Sequence, residues 1–280
     1  VEINYSRKFI KLYNPLFYDS KLSRKWRKLE LIFFNKKPML EASVKSQNQV
    51  VLVNLLIDTG GSDALWIFED SNQSLKIPTN NFDDFLGKGL SGSIFGKRAV
   101  LESFHLKDFQ LNAVNVSFPD SSSIEKAKIN KFRNGSLLGD VLHRFNWVFN
   151  YESQWVAFRK NKFFKKHFEY NKSGIVMQYA GVRLLKTPSQ ISNNTASSDN
   201  INSTNNLTTI NFTSTYKFEI VPELIISDVR ANSPADEAGL KIGDVVLSIN
   251  NQSLRSLTLQ KAIDQLYRAD GKRIKMTIER

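Results

Sequence analysis

The chain has 280 residues, of which 41% are hydrophobic and 24% charged, a composition typical of a globular protein of about two domains. It has no cysteine, which excludes disulfides and thiolate chemistry, and its three histidines lie too far apart to predict a metal site or a cofactor. The net charge of +12 is spread along the chain without a nucleic-acid-binding motif, and the apolar runs are too short to predict a membrane span.

Residues 1–37 predict a hairpin and a basic connector. The segment "VEINYSRKFIKL" at 1–12 predicts a β-hairpin that turns at Asn4-Tyr5. Residues 21–37, "KLSRKWRKLELIFFNKK", combine many cations with aromatic residues, which is typical of a solvated connector with aromatic anchors. We therefore expect a link between β-rich units here rather than a nucleic-acid site.

From residue 38 to about 158 the dominant pattern is short β-type runs separated by Gly, Asn, Asp and Ser. Helical patterns are confined to two short pieces, "SIEKAKINKF" and "LGDVLHRF". These patterns predict a mainly β domain, to which we assign residues 38–170.

Within this domain the stretch "LLIDTGGSDALW" carries a candidate acid/base site. The apolar run drives Asp58 into a dry setting, where an ionised carboxylate is costly unless it is hydrogen-bonded. Thr59 supplies a hydroxyl for a supporting network, and Gly60 permits a turn that a larger side chain would block. The small residues Gly61 and Ser62 follow, ahead of another apolar run.

A second segment, "NGSLLGDVLHRFNWVFNYESQWVAF", adds Leu137-Leu138-Gly139, a short helix and a strand pair that turns at Asn150-Tyr151. With these two segments, residues 38–160 resemble the aspartic peptidases of the retropepsin and pepsin-like group. The resemblance implies a β-barrel lobe in which the apolar-apolar-Gly strand passes beside the D-T-G turn. It also implies that Asp58, Thr59 and Gly60 are catalytic, with Gly61 where the family has Ala or Ser.

The glycine-rich stretch "LGKGLSGSIFGKRAV" between the two segments occupies the place of the flap that closes over substrate in this family. The resemblance places Gly92, Ser93 and Phe95 near the flap tip. We expect them to contact substrate together with Ser62.

Aspartic peptidases use two aspartates that share one proton, yet the chain contains one D-T-G. Asp120 has unsuitable surroundings, and we expect Asp63 to be exposed. The segment at 1–12 parallels "WVFNYESQWVAF" at 147–158, so residues 1–20 resemble the tail of a preceding, similar lobe that would supply the second aspartate. A chance similarity of two hairpins and a symmetric homodimer, as in retropepsins, are the alternatives.

Residues 171–280 form a second predicted unit, interrupted at about 187–215 by an Asn- and Ser-rich tract that predicts a disordered insertion. In "SPADEAGLKIGDVVLSIN", Ser233 is expected to cap a short helix that ends at Gly239. This stretch and the helix after it resemble a PDZ domain of the bacterial protease type, an α+β fold that binds peptides as an added strand. In "YAGVRL", Gly181 and Val182 are the expected peptide-binding residues, in a loop and strand that receive the terminal carboxylate.

Together these features resemble a bacterial family of exported aspartyl proteases, located in the periplasm or cell envelope. The leading hypothesis is an aspartic endopeptidase whose PDZ unit binds peptide or protein substrates. The second aspartate is then provided within the same polypeptide or by dimerisation, and neither metal nor nucleic acid takes part. The alternative is a non-catalytic peptide-binding protein on a protease-like scaffold.

Overall fold

The computed structural model describes residues 1–14, 22–89, 92–188, 216–253, 258–267 and 271–280. The chain divides into two units, residues 1–170 and residues 171–280. Strands predominate in the described part of both units, so the predicted mainly β fold is confirmed. Of the insertion predicted at 187–215, residues 189–215 lie outside the described part of the chain.

The first unit consists of strands joined by short turns, with little helix. Its strands are β1 (Glu2–Asn4), β2 (Phe9–Lys11), β3 (Arg27–Glu30), β4 (Ile32–Phe34), β5 (Lys37–Ser46), β6 (Gln49–Ile57), β7 (Leu65–Ile67), β8 (Asn81–Gly89), β9 (Gly92–Leu106), β10 (Phe109–Pro119), β11 (Gly135–Leu137), β12 (Phe145–Asn150) and β13 (Trp155–Lys160). Its helices are α1 (Glu125–Lys128) and α2 (Gly139–Leu142), and 3-10 turns lie at Glu69–Ser71 and Ser121–Ile124.

These strands form two sheets. The larger has the order β4-β5-β6-β11-β7-β10-β9-β8, and an additional pairing of β5 with β9 closes the strands between them into a barrel. The smaller has the order β2-β1-β12-β13-β3. The predicted β-barrel lobe is therefore confirmed, and β6, which leads to the D-T-G turn, is an interior strand of the barrel.

The segment 21–37 differs from the expected connector, because it contains β3 and β4. Strand β3 pairs with β13 in the smaller sheet, and β4 pairs with β5 in the larger one. Between them Leu31 is only 2% exposed and belongs to the core. The cations dominate the composition of this segment, but its apolar residues pack inward and stabilise two strands.

The first unit has a large contiguous core, which includes aromatic rings from the smaller sheet, and a separate small cluster around Val148, Trp155 and Ala157. Phe145 and Phe158 meet edge to face with their ring centroids 5.6 Å apart, and Trp147 lies 5.2 Å from Phe158. These three residues are at most 1% exposed. Fully burying one such side chain contributes roughly 1.5–3 kcal/mol, so this cluster is a main source of the stability of the lobe.

The second unit is a sheet with two short helices. Its strands are β14 (Ile175–Pro188), β15 (Tyr216–Val229), β16 (Val245–Ile249), β17 (Gln252–Ser253) and β18 (Met276–Glu279), and its helices are α3 (Pro234–Glu237) and α4 (Leu259–Asp264). The strand order is β14-β15-β16-β17, and β18 also pairs with β16. The predicted α+β unit is therefore confirmed.

Candidate functional site

The D-T-G turn begins directly after β6. The Asp58 backbone N–H donates to the Leu137 carbonyl over 2.9 Å, and Asp58 Oδ1 accepts a hydrogen bond of 2.9 Å from the Gly60 N–H. Asp58 is half-buried, whereas Thr59 and Gly60 are exposed. The turn therefore holds the carboxylate in a defined orientation while leaving it accessible to water.

The Leu137-Leu138-Gly139 segment lies beside this turn, as the sequence predicts. Strand β11 runs parallel to β6, with Leu137 opposite Ile57. The Gly139 N–H donates to the Gly61 carbonyl over 2.9 Å, and the Leu138 N–H donates to the Ala64 carbonyl over 3.1 Å. Backbone hydrogen bonds thus join the two segments on both sides of the D-T-G turn.

Close packing explains why glycine follows the D-T-G motif. A Cβ at position 61 would lie 2.1 Å from Leu138 Cδ2, and a Cβ at position 139 would lie 2.7 Å from the Gly61 carbonyl oxygen. Leu138 is only 2% exposed and has little freedom to move aside. Glycine at position 61 therefore leaves the space that the large side chain of Leu138 occupies.

We expect Gly61→Ala to lower the free energy of unfolding by about 1–3 kcal/mol, because the new methyl group overpacks against Leu138. Chemical denaturation measures this cost in the wild-type background and in Leu138→Ala, which removes the clashing atoms. The cost should be smaller in the second background. An equal cost in both would contradict this assignment of the clash.

The expectation that Asp63 is exposed is wrong. Its side chain is 18% exposed and accepts hydrogen bonds from Trp66 Nε1 at 2.7 Å, Arg98 Nη1 at 2.9 Å and Ser117 Oγ at 3.1 Å. Arg98 also donates to Asp84 over 2.5 Å. Sequence reasoning missed this network because β9 and β10, which carry Arg98 and Ser117, pack against the turn only in the folded chain.

The network ties the β8–β9 hairpin to the residues after the D-T-G turn. Burial lowers the pKa of Arg98, but the attraction of Asp63 and Asp84 outweighs this and raises the pKa above its ordinary value. The guanidinium is therefore a well-compensated structural cation, and Asp63 is engaged in an ion pair rather than available as a second catalytic aspartate.

The predicted flap is the β8–β9 hairpin. Gly92 and Ser93 are exposed and pair with Gly89 and Lys88 beside the tip, whose residues 90–91 lie outside the described part of the chain. Phe95 is 47% exposed, and its ring centroid lies 5.5 Å from that of Phe85. Ser62 is exposed beside the D-T-G turn. Contact of these four residues with substrate stays a prediction.

In the second unit the described part of β14 is an edge strand beside a helix. Ile175 and Met177 of β14 pack in one buried cluster with Ala262 of α4 and with Leu266. The other edge of β14 pairs with β15. An edge strand next to a helix is an arrangement to which an extended peptide adds as a further strand.

Residues 225–280 match the family model of the PDZ domain. The C-terminal unit contains a PDZ domain. No curated protein matches the chain in sequence.

Within this unit Gly181 and Val182 lie ahead of the matched region and inside β14, so the segment expected to be a loop and a strand is strand throughout. They pair with Glu223 and Pro222, next to a register shift at Tyr179/Gly181. Gly181 has a φ of 109°, which favours glycine and accommodates this irregularity. The long pairing with β15, which "YAGVRL" does not reveal by itself, makes this segment a strand. Peptide binding by Gly181 and Val182 stays a prediction.

Among solved structures the chain is similar to a retropepsin-like aspartic protease from Rickettsia conorii, at 12% identity and a TM-score of 0.34, over 49% of this chain and 97% of that one. It is also similar to the crystal structure of edgp, at 10% identity and a TM-score of 0.29, over 60% of this chain. The chain spans 53% of that second protein. At these identities nothing about activity follows from either similarity.

In the described ranges of the chain, no group of three or more His, Cys, Asp or Glu residues is arranged to hold a metal ion. In the same ranges, no helix has both the length and the apolar character needed to cross a membrane.

Proposed function

We propose that this chain is part of an aspartic endopeptidase in which Asp58 is one of two catalytic aspartates. The observation that carries the proposal is the geometry of the D-T-G turn. The carboxylate is half-buried and accessible, accepts the Gly60 N–H, and is fixed through the Asp58 N–H to the Leu137 carbonyl. A positioned carboxylate of this kind is suited to acid/base chemistry on water.

Two such carboxylates that face each other share one proton. The ionised carboxylate takes a proton from water as the water oxygen attacks the peptide carbonyl carbon. The protonated one gives its proton to the carbonyl oxygen. On collapse of the tetrahedral intermediate the C–N bond breaks: the carboxyl that took the water proton gives it to the leaving nitrogen, and the other carboxylate takes back a proton from a hydroxyl of the intermediate. Asp58 fills one of these roles, and a second D-T-G lobe fills the other.

The two hairpins of the smaller sheet support a second lobe. In the alignment of 1–12 with 147–158, Asn4 corresponds to Asn150, and their Oδ1 atoms accept the N–H of Arg7 at 3.0 Å and of Ser153 at 2.9 Å. The residues that pair across the two strands also occupy corresponding positions in the two hairpins. In the first hairpin the pairs are Glu2–Lys11, Ile3–Ile10 and Asn4–Phe9. In the second the corresponding pairs are Val148–Ala157, Phe149–Val156 and Asn150–Trp155. The left-handed residues Lys8 (φ 58°) and Gln154 (φ 53°) occupy the same position of the turn.

The pairing between the hairpins is itself symmetric. Glu2 pairs with Val148, which is its counterpart in the alignment. Ile3 pairs with Trp147. In the alignment their counterparts are Phe149 and Val1, and these two residues also pair, through two backbone hydrogen bonds of 2.8 Å. A local two-fold axis therefore relates the hairpins. This favours a second lobe for which residues 1–12 are the closing hairpin, as 147–158 are for residues 38–160.

The same symmetry bears on the two alternatives. If the two hairpins were similar only by chance, there would be no reason for corresponding residues of the two hairpins to pair with one another. A homodimer joined through β12 would need the edge that β1 of the same chain already occupies. Both observations favour a second aspartate from the same polypeptide.

We expect the natural full-length polypeptide to cleave fluorogenic peptides as a monomer, and residues 1–280 alone to be monomeric and inactive. Light scattering after size exclusion gives the oligomeric state, and fluorescence gives the turnover of the same samples. Peptidase activity from a dimer of residues 1–280 would contradict the two-lobe arrangement.

A non-catalytic peptide-binding protein is the second candidate, and the PDZ domain supports it, because PDZ domains bind peptides without cleaving them. This candidate predicts that peptides bind to every form of the protein and that none is cleaved. Turnover by the full-length polypeptide therefore separates the two functions.

A further inference from the structure

Arg133 is a partly buried cation just before β11, the strand that runs beside β6. Its Nε donates to the Gly135 carbonyl over 2.9 Å, its Nη2 donates to Ser136 Oγ over 2.6 Å, and its guanidinium carbon lies 5.1 Å from the centre of the Phe68 ring. All three partners are neutral. Across the described ranges, no carboxylate forms an ion pair with Arg133, and Nη1 donates to none of these residues.

The hydrogen bond to Ser136 directs the Arg133 guanidinium towards Asp58, although in the backbone register its neighbour Asn134 meets Asn54, four residues before Asp58. Ser136 pairs with Leu56 on one side and with Trp66 on the other, and both of these residues are partly exposed. Side chains alternate along a strand, so the neighbouring Leu137, which is 0% exposed, points into the core on the opposite face. Ser136 is itself 1% exposed, and the partly exposed Arg133 that donates to it lies with Leu56, two residues before Asp58, on the face opposite the core.

The charge of Arg133 is incompletely compensated. Burial lowers the pKa of its guanidinium, and the attraction of Asp58, which lies beyond ion-pair distance, offsets only part of this effect. By contrast, Arg98 has two carboxylate partners and Arg144 has Asp140. Removing a cation from water without an anion is unfavourable, and such departures from ordinary packing are concentrated at functional sites.

We propose that Arg133 is a specificity-determining residue that binds the carboxylate of an Asp or Glu side chain in a peptide substrate at the Asp58 site. The inference rests on the proposed function, because it assigns a substrate class to that site. Because Nε and Nη2 already donate hydrogen bonds within the protein, the guanidinium is held in one orientation before a peptide binds. Nη1 then donates a hydrogen bond to the carboxylate of the peptide. Without this cation, the negative charge of Asp58 would repel an acidic side chain.

The test measures peptide binding to the full-length polypeptide carrying Asp58→Asn, so that no peptide is cleaved. The probes are two mixtures of fluorescein-labelled octapeptides built from Ala, Val and Phe. Each peptide of the first mixture contains one Glu, at a position that differs from peptide to peptide, and the second mixture has Gln in place of each Glu. Fluorescence anisotropy should show that the Glu mixture binds about tenfold more tightly, as expected for one charged hydrogen bond. Adding Arg133→Gln should remove this preference.

Two further variants control for nearby charge and for the geometry of the guanidinium. Lys131→Gln removes a nearby exposed charge, and it should leave the preference for Glu unchanged. Arg133→Lys keeps the charge without the planar fork and should retain part of the preference. Equal binding of the mixtures by Asp58→Asn, including no binding of either, overturns the proposal, as does a preference that survives Arg133→Gln.

Failure of this inference is distinguishable from failure of the proposed function. A protein that cleaves peptides through Asp58 without preferring Glu would overturn the role of Arg133 alone. A protein that prefers Glu through Arg133 but never cleaves would overturn the peptidase function alone.

Discussion

Asp58→Asn is expected to abolish peptide cleavage while leaving the fold intact. In the proposed mechanism the substitution removes the group that exchanges protons with water or with the carbonyl oxygen, so kcat should fall about 10³-fold or more. Asn keeps the size of Asp and retains an oxygen to accept the Gly60 N–H. The thermal midpoint of unfolding should therefore change little. Turnover of a fluorogenic peptide by the full-length polypeptide measures the effect.

A matched control separates the loss of a catalytic carboxylate from the loss of a negative charge. Asp120 is exposed, and the hydrogen bonds found for it involve its backbone. Asp120→Asn should retain the activity of the wild-type protein. Unchanged turnover in Asp58→Asn would rule out the assignment of Asp58, whatever the behaviour of the control.

Gly135→Ala is expected to lower the free energy of unfolding by about 3 kcal/mol, the largest stability effect we expect from a single methyl group in this chain. A Cβ at this position would lie 1.9 Å from the Trp66 carbonyl oxygen and 3.2 Å from Ile67 Cα. These are backbone atoms, so no side-chain rotation relieves the clash. Strands β11 and β7 would have to separate, which would also displace Leu137 and its hydrogen bond to Asp58.

Gly89→Ala is the matched control, because it adds the same methyl group in a strand where the nearest atom, at 3.0 Å, is the end of the Ile94 side chain. Its cost should lie within about 0.5 kcal/mol of zero. Urea denaturation of the two variants measures the difference. A cost for Gly135→Ala no greater than that for Gly89→Ala would show that β7 and β11 are less closely packed than described here.

Local sequence signals predicted the features that depend on neighbouring residues. Ser233 Oγ accepts the Asp236 N–H at the start of α3, and Gly239 adopts the left-handed conformation, with a φ of 74°, just past its end. Both features are read from a few consecutive side chains and their hydrogen-bonding capacity. The position of Asp58 at the end of a buried strand follows in the same way from the apolar run before it.

Sequence alone was less informative where the partner of a segment lies far along the chain. "YAGVRL" predicted a loop and a strand, yet pairing with β15 makes the whole segment a strand. The charges at 21–37 predicted a connector, yet pairing with β13 and β5 makes β3 and β4. Intrinsic strand preferences are weak, and the neighbouring strand decides which segment becomes one.

The sequence by itself therefore determined the mainly β fold, the D-T-G turn with its Leu-Leu-Gly companion, and the caps of helix α3, because each depends on short-range sterics and hydrogen bonds. Only the tertiary structure decided that Asp63 is committed to Arg98 and that the two hairpins are related by a local two-fold axis. It also decided that the Arg133 guanidinium is directed towards Asp58 and forms no ion pair with a carboxylate among the residues that the structure describes. These features arise because strand pairing brings together side chains from distant parts of the chain, where burial strengthens the interactions between charges.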